Sequence, residues 1–177
     1  YYVSATGNDA NAGTSSSAPF KTIQKCVNVA SSGNVCSVAA GIYAERLNIN
    51  KAITVVCDKS KSCIIKGAVL AGNAILDGFY SLNSDTNDGA LVANGSGNII
   101  RNNKVEGSCM VGINLNGSAN RAENNEILKS RQCAGSSGAD ADGIRYFGAN
   151  QVMRGNYIHD IFYDSTNTTA HIDCFQT

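Results

Sequence analysis

The sequence predicts an all-β solenoid, a right-handed parallel β-helix with one N-terminal capping α-helix, on three observations. A 22-residue unit repeats through the middle of the chain. The runs between its turns are short and β-branched, without a helical period. One stretch near the start places apolar residues at helical spacing. A unit this small cannot bury an apolar face alone, so it stacks on its neighbours; units built of strands select a β-solenoid over helical-repeat or leucine-rich architectures. The 177 residues fit a single domain. Residues 1–33 are expected to form an N-terminal strand and cap helix, and residues 34–177 the coils.

The helical stretch comes first. Phe20, Ile23, Cys26, Val27 and Ala30 share one helix face, Pro19 suits a first helical position, and Ser17 stands just before it. The spacing predicts a helix over 19–31. Val35-Cys36-Ser37-Val38 and Ala52-Ile53-Thr54-Val55-Val56 follow as strands, separated by Gly, Asn, Asp and Ser turn residues. The repeat is plainest where Gly95-Ser96-Gly97-Asn98-Ile99-Ile100-Arg101-Asn102-Asn103-Lys104-Val105 is set against Gly117-Ser118-Ala119-Asn120-Arg121-Ala122-Glu123-Asn124-Asn125-Glu126-Ile127. A third copy starts at Gly148, 31 residues further on, and a degenerate one at Gly72. The longer last interval predicts a loop near 131–138.

A second register agrees. Asp88-Gly89-Ala90-Leu91, Val111-Gly112-Ile113-Asn114, Asp142-Gly143-Ile144-Arg145 and Asp173-Cys174-Phe175-Gln176 are read as equivalent, each copy one coil. Ile99, Val105, Ile113, Leu115, Ile127, Ile144, Val152 and Ile158 are the expected inward column. Asn103, Asn125 and Asn156 are expected to stack as an amide ladder at one corner, because Asn tolerates left-handed backbone angles and amides hydrogen-bond from coil to coil.

Composition removes several function classes. With a formal net charge of zero and 16% charged residues, there is no basic stripe to hold nucleic acid through its phosphates. No run approaches the roughly 18 apolar residues of a membrane span, and Tyr1-Tyr2-Val3 follows no basic or apolar leader, which reads as a processed, soluble form. Seven cysteines lack the paired spacings of a zinc site, which favours disulfides and an extracellular setting, secreted or at the cell surface. Cys57 with Cys63, Cys26 with Cys36 and Cys109 with Cys133 are the expected pairs, though other connectivities are open, and Cys174 is left over. Asn94-Gly95-Ser96, Asn116-Gly117-Ser118 and Asn167-Thr168-Thr169 match the N-glycosylation pattern, but Asn-Gly-Ser is also ordinary turn chemistry.

Tyr1-Tyr2-Val3-Ser4-Ala5-Thr6-Gly7-Asn8-Asp9, Gly13-Thr14-Ser15, Ala18-Pro19-Phe20-Lys21-Thr22-Ile23-Gln24 and Gly41-Ile42-Tyr43 together resemble the opening of secreted β-helix proteins of the pectate-lyase-like superfamily. His171-Ile172-Asp173-Cys174-Phe175-Gln176 is similar to a His-x-Asp-x-x-Gln strand of that superfamily. The resemblance implies a polysaccharide partner, and its members include lyases, hydrolases, epimerases and noncatalytic surface proteins, so the fold alone does not choose among them. In the lyases, it implies, a cation neutralises the uronate carboxylate, a basic side chain takes the C5 proton and the 4-linked sugar leaves.

The densest polar cluster falls on the last two coils. At the 31-residue offset Asp140 aligns with His171, Asp142 with Asp173 and Arg145 with Gln176. Adjacent strands of a sheet lie about 4.8 Å apart, so these groups are expected in one patch. His171, Asp173 and Arg145 are the expected catalytic groups. Asp140, Asp142 and Asp173 are the expected ligands of Ca2+, as hard oxygen donors, and Gln176, Tyr163 and His159 the expected substrate contacts. Against this, an Asp before Gly or at a coil corner commonly caps a turn, and no Lys or Arg belongs to a diagnostic motif for the eliminating base.

Two functions follow as expectations. One is cleavage of a uronate-containing polysaccharide by β-elimination; the other is a noncatalytic β-helix that binds glycan or assembles end to end as a surface filament. The chain stops at Thr177 inside an expected strand, so either further coils or another subunit is expected to cover that end.

Overall fold

The computed structural model describes residues 1–85, 88–133, 140–162 and 171–177. Their strands form three parallel sheets, and the chain visits the three in turn on every coil. The first sheet contains Tyr2–Val3, Val35–Val38, Thr54–Cys57, Ile75–Asp77, Ile99–Arg101, Arg121–Glu123 and Val152–Arg154. The second contains Gly41–Ile42, Cys63–Ile65, Phe79–Leu82, Lys104–Glu106, Glu126–Leu128 and Tyr157–His159. The third contains Arg46–Ile49, Gly67–Ala71, Leu91–Ser96, Val111–Ser118, Asp142–Phe147 and Phe175–Gln176. This is a parallel β-helix. The copy beginning at Gly72 is a true coil, since Ile75 pairs with Ile99.

The corners explain the repeat. From Asn73 onward each of the corners named below puts one residue in the left-handed region and turns the next side chain inward. Leaving the third sheet these are Asn73, Gly97, Ala119 and Asn150; leaving the first, Gly78, Asn102, Asn124 and Gly155; leaving the second, Asn83, Gly107, Lys129 and Asp160. The expected ladder forms after the second set: Asn103 Nδ2 donates to Asn125 Oδ1 at 3.2 Å, and Asn125 Nδ2 to Asn156 Oδ1 at 2.9 Å. The same oxygens accept the backbone N–H of the preceding coil. A second ladder, not foreseen from the sequence, follows the first set. There Asn98 Nδ2 donates to Asn120 Oδ1, and Gln151 Oε1 accepts the Asn120 N–H, each at 3.0 Å. Ser108 and Ser130 hydroxyls pair at 3.0 Å after the third set. The corner N–H groups of Ala74, Asn98, Asn120, Phe79, Asn103 and Asn125 thus all have side-chain acceptors.

Val105, Ile113, Leu115, Ile127 and Ile144 are buried as expected, and Ile158 packs against them. Ile99 and Val152 face outward instead; Ile100, Ala122 and Met153 fill that column. The register of the Asp88 copy is also corrected by one residue, because Leu91 pairs with Ile113 rather than Asn114. A slip of one would turn the buried Leu91 to solvent.

The helix spans Ile23–Val29, shorter than 19–31. Thr22, not Ser17, is its N-cap: Thr22 stays extended and its hydroxyl accepts from Lys25 N. Two carboxylates hold that end, Asp9 accepting from Lys21 N and Thr22 N, and Glu45 from Ile23 N and Gln24 N. These bonds hold the Asp9 carboxyl below its usual range although burial opposes them. Pro19 precedes Phe20, which bridges to Val3 and so remains extended. At the other end Lys51 Nζ donates to the carbonyls of Val27, Asn28 and Ala30. Disulfides join Cys26 to Cys36, Cys57 to Cys63 and Cys109 to Cys133, and Cys174 is a free, exposed thiol. The first ties the cap helix to the first coil. The extra residues of the long coil fall between Arg131, bridged to Cys109, and Asp142, paired with Val111; residues 134–138 of the expected loop lie outside the described residues.

Candidate functional site

The third sheet carries the patch. Ile113, Ile144 and Phe175 are partners along one column, so the next residues, Asn114, Arg145 and Gln176, form an adjacent column on the other face. Arg145 turns back along its own strand. Its Nε and Nη2 donate to Asp142 Oδ2 at 3.1 and 2.6 Å, and Nη2 also reaches Asp140 Oδ2 at 3.0 Å. Asp140 links the last coil as well, accepting from His171 N and from Gln176 Nε2, both at 3.1 Å. The structure thus brings Asp140, Asp142, Arg145, Gln176 and the His171 backbone together.

Burial sets the electrostatics. The Asp142 side chain is completely buried, while those of Arg145 and Asp140 are 16% and 20% exposed. Desolvation raises the Asp142 pKa, opposed by Arg145 and by the Asp173 backbone N–H and reinforced by the charge of Asp140. Two oxygens of this sheet make no hydrogen bond among the described residues although both are buried: Asp142 Oδ1 and Asn114 Oδ1. Asn114 was missed in the sequence, where its alignment with Arg145 was visible but only the charged copies were weighed. Its amide nitrogen is spent on Asp88 O at 3.0 Å. Buried acceptors without donors are uncommon and call for a physical reason.

The other expected residues lie differently. His171 is exposed, with only its backbone fixed on Asp140. Asp173 contributes its carbonyl to Gly143 N at 2.9 Å. His159 belongs to the second sheet, not to this face: it stacks on Tyr157 at 4.3 Å, with Nδ1 2.9 Å from Asp160 Oδ2 and Nε2 3.6 Å from Glu126 Oε1. Its strand ends before the corner that leads to the third sheet, so it stands apart from the Arg145 patch. Tyr163 lies outside the described residues.

The calcium expectation does not fit this arrangement either. Among the described residues no three His, Cys, Asp or Glu side chains converge as a metal-binding set. The Arg145 guanidinium already holds Oδ2 of both Asp140 and Asp142, so a divalent ion there would meet a fixed positive charge.

Solved structures with the same coil geometry include a pectate lyase, 18% identical over 89% of this chain and 46% of its own, with a TM-score of 0.65. The chain has the parallel β-helix fold of that enzyme. A rhamnogalacturonan lyase is 15% identical, covering 100% of this chain and 62% of its own, with a TM-score of 0.57. A pectin methylesterase from Erwinia chrysanthemi is 14% identical over 96% and 58%, with a TM-score of 0.59. This chain therefore spans about half the length of the pectate lyase. A family model described as a protein of unknown function (DUF1565) matches residues 5–60, the cap and the first coils. No curated protein matches the sequence. No helix among the described residues is long and apolar enough to cross a membrane.

Proposed function

We propose that this protein is an extracellular, carbohydrate-active β-helix that binds a uronate-containing polysaccharide across the outer face of its third sheet and cleaves it by β-elimination on the last two coils. The observation that carries this reading is the Arg145 guanidinium on the outer face of the third sheet, partly exposed and clamped from behind by Asp140 and Asp142. The Nη1 donors of Arg145 have no partner among the described residues and suit a uronate carboxylate. The pectin-directed names of three neighbours that share the fold support a polysaccharide as the substrate class, and three disulfides support an oxidising compartment.

In this reading Arg145 binds the carboxylate and offsets the charge that develops at C5. Asp140 and Asp142 hold the guanidinium so that no reorientation is needed during reaction. The exposed His171 imidazole takes the C5 proton. The C5–H electron pair becomes the C4–C5 double bond, the C4–O bond breaks, and the leaving oxygen is protonated from solvent. Asp173 and Gln176, on the same last segment, are assigned to sugar hydroxyls.

One observation favours a second reading, glycan binding without cleavage. Asp140 and Asp142 outnumber the guanidinium they hold, which leaves less positive charge to acidify a C5 proton. The two readings separate in one experiment. Pectic, alginate and glycosaminoglycan polymers are incubated with the protein, with and without calcium, while unsaturated-uronate absorbance and calorimetric binding are followed. Growth of absorbance that is lost in Arg145→Ala and His171→Ala supports cleavage. Binding lost in Arg145→Ala with flat absorbance supports the noncatalytic reading, and neither signal from folded protein removes the site assignment.

A further inference from the structure

At the other end of the solenoid, on the outer face of the first sheet, the cap and first two coils line an open cavity of about 350 Å3. Its wall includes five hydroxyl side chains, Ser4, Thr6, Ser16, Ser17 and Ser37, with Tyr2, Pro19 and Asp58. The volume lies at the lower end of small-molecule sites, roughly 300–1,000 Å3. The placement follows from register: Tyr2 pairs with Ser37, and Asp58 follows directly on Thr54–Cys57, its N–H held by Val38 O at 2.8 Å. We propose that this cavity is a second carbohydrate subsite, one that takes an uncharged pyranose.

Three features define the ligand. Asp58 is the one charged group in the wall, so a uronate carboxylate would face a like charge there, whereas a neutral ring would not. Asp58 Oδ1 accepts from Ser37 Oγ, and its other oxygen is open to sugar hydroxyls, which a carboxylate accepts more strongly than a neutral group does. Tyr2 is 41% exposed although it lies on a sheet, and it presents an aromatic face of the kind that packs against the C–H side of a sugar ring. Ser4 and Thr6 hydroxyls, 3.0 Å apart, and Ser15 and Ser17 hydroxyls, also 3.0 Å apart, are fixed by each other and can serve as both donors and acceptors. The site contains none of the residues assigned to Arg145's patch, so it stands whether or not that patch cleaves anything.

The test is titration of 15N-labelled protein with neutral tetrasaccharides of β-linked glucose, xylose and mannose, with tetragalacturonate as the acidic control. Amide shifts centred on Tyr2, Ser37 and Asp58 are expected with at least one neutral probe. Tyr2→Ala and Asp58→Ala are each expected to weaken that binding about tenfold or more. Both side chains are exposed and leave the fold intact, which a thermal melt verifies. Arg145→Ala is expected to change nothing here. The proposal is overturned if no neutral probe shifts these amides, if the shifts survive both substitutions, or if tetragalacturonate binds there as tightly as the neutral probes.

Discussion

Asn125 is the residue on which the corner ladder can be tested most sharply. It is 1% exposed. Its Oδ1 accepts from Asn103 N at 3.0 Å and Asn103 Nδ2 at 3.2 Å, and its Nδ2 donates to Ile100 O and to Asn156 Oδ1, both at 2.9 Å. Asn125→Ala removes all four. Asn103 Nδ2 keeps Leu76 O and Asn156 Oδ1 keeps the Asn125 N–H, so these lose only the net value of a bond, about 0.5–1.5 kcal/mol each. The Asn103 N–H keeps nothing, and a buried orphan donor costs about 1–3 kcal/mol. The Ile100 carbonyl loses a bond of the same order, and the sum is about 2.5–7.5 kcal/mol, which for a chain of this size lowers the Tm by roughly 10–20 °C. Asn116→Ala, which loses one bond to Asn94 at the surface, is the matched control and is expected to cost about 0.5 kcal/mol. Asn125→Asp separates the two halves of the amide: it keeps the acceptor for Asn103 N but sets a buried carboxylate against Ile100 O and Asn156 Oδ1, so it is expected to be as damaging as Ala at neutral pH. Urea melts followed by circular dichroism read all three. If Asn125→Ala and Asn116→Ala fall within about 1 kcal/mol of each other, the ladder is not what holds the corner.

Other perturbations probe separate parts of the solenoid. Glu106 has its carboxyl held down at about 2, first by Lys129, then by Tyr80 and Lys104, so its contribution is present above the unfolded value of 4.5 and disappears as pH falls towards 2. After screening, that contribution is about 1–2 kcal/mol, and the stability gap between the wild type and Glu106→Gln should close over that pH window in acid titrations. Paired Cys→Ser changes should destabilise in the order of loop length, Cys109–Cys133 by about 3.5, Cys26–Cys36 by about 2.5 and Cys57–Cys63 by about 2 kcal/mol, read by thermal melts of the three double variants. Ala119 sits at φ 53° where the preceding coil has Gly97, so Ala119→Gly should stabilise by about 0.5–1 kcal/mol, the relief of left-handed strain exceeding the added unfolded-chain entropy. A loss of stability in that variant would mean the Ala119 methyl does more by packing than it costs in strain.

What was legible in the sequence was whatever the repeat states twice. Asn103, Asn125 and Asn156 stand at equivalent places in three copies, so the ladder could be read from spacing. The second ladder escaped because its third member is Gln151, longer by one methylene but filling the same place. Ile99 and Val152 were placed on the wrong face because hydrophobicity was read without the bend: both lie one residue after a corner side chain already turned inward, so the following residue must point out. The helix start was misjudged because Pro19 and Ser17 imitate a helix entry, while the groups that hold the true one, Asp9 and Glu45, lie far away in sequence. At the candidate site the alignment placed Asp140, Asp142, Arg145 and Gln176 together on the last two coils, where the structure has them. It could not show that Arg145 would fold back onto its own Asp142, which turns an expected cation cage into a clamped guanidinium.

The in-register stacking of whole coils has a consequence for the distance between the two ends. Leu91–Ser96 pairs residue for residue with 113–118. A further copy of that coil could therefore enter without changing any neighbour's geometry. Each such insertion would displace the Arg145 patch from the cap cavity by one strand spacing, about 4.8 Å, and by no intermediate amount. The solenoid behaves as a ruler graduated in coils, and a glycan that touched both ends would be measured in those steps.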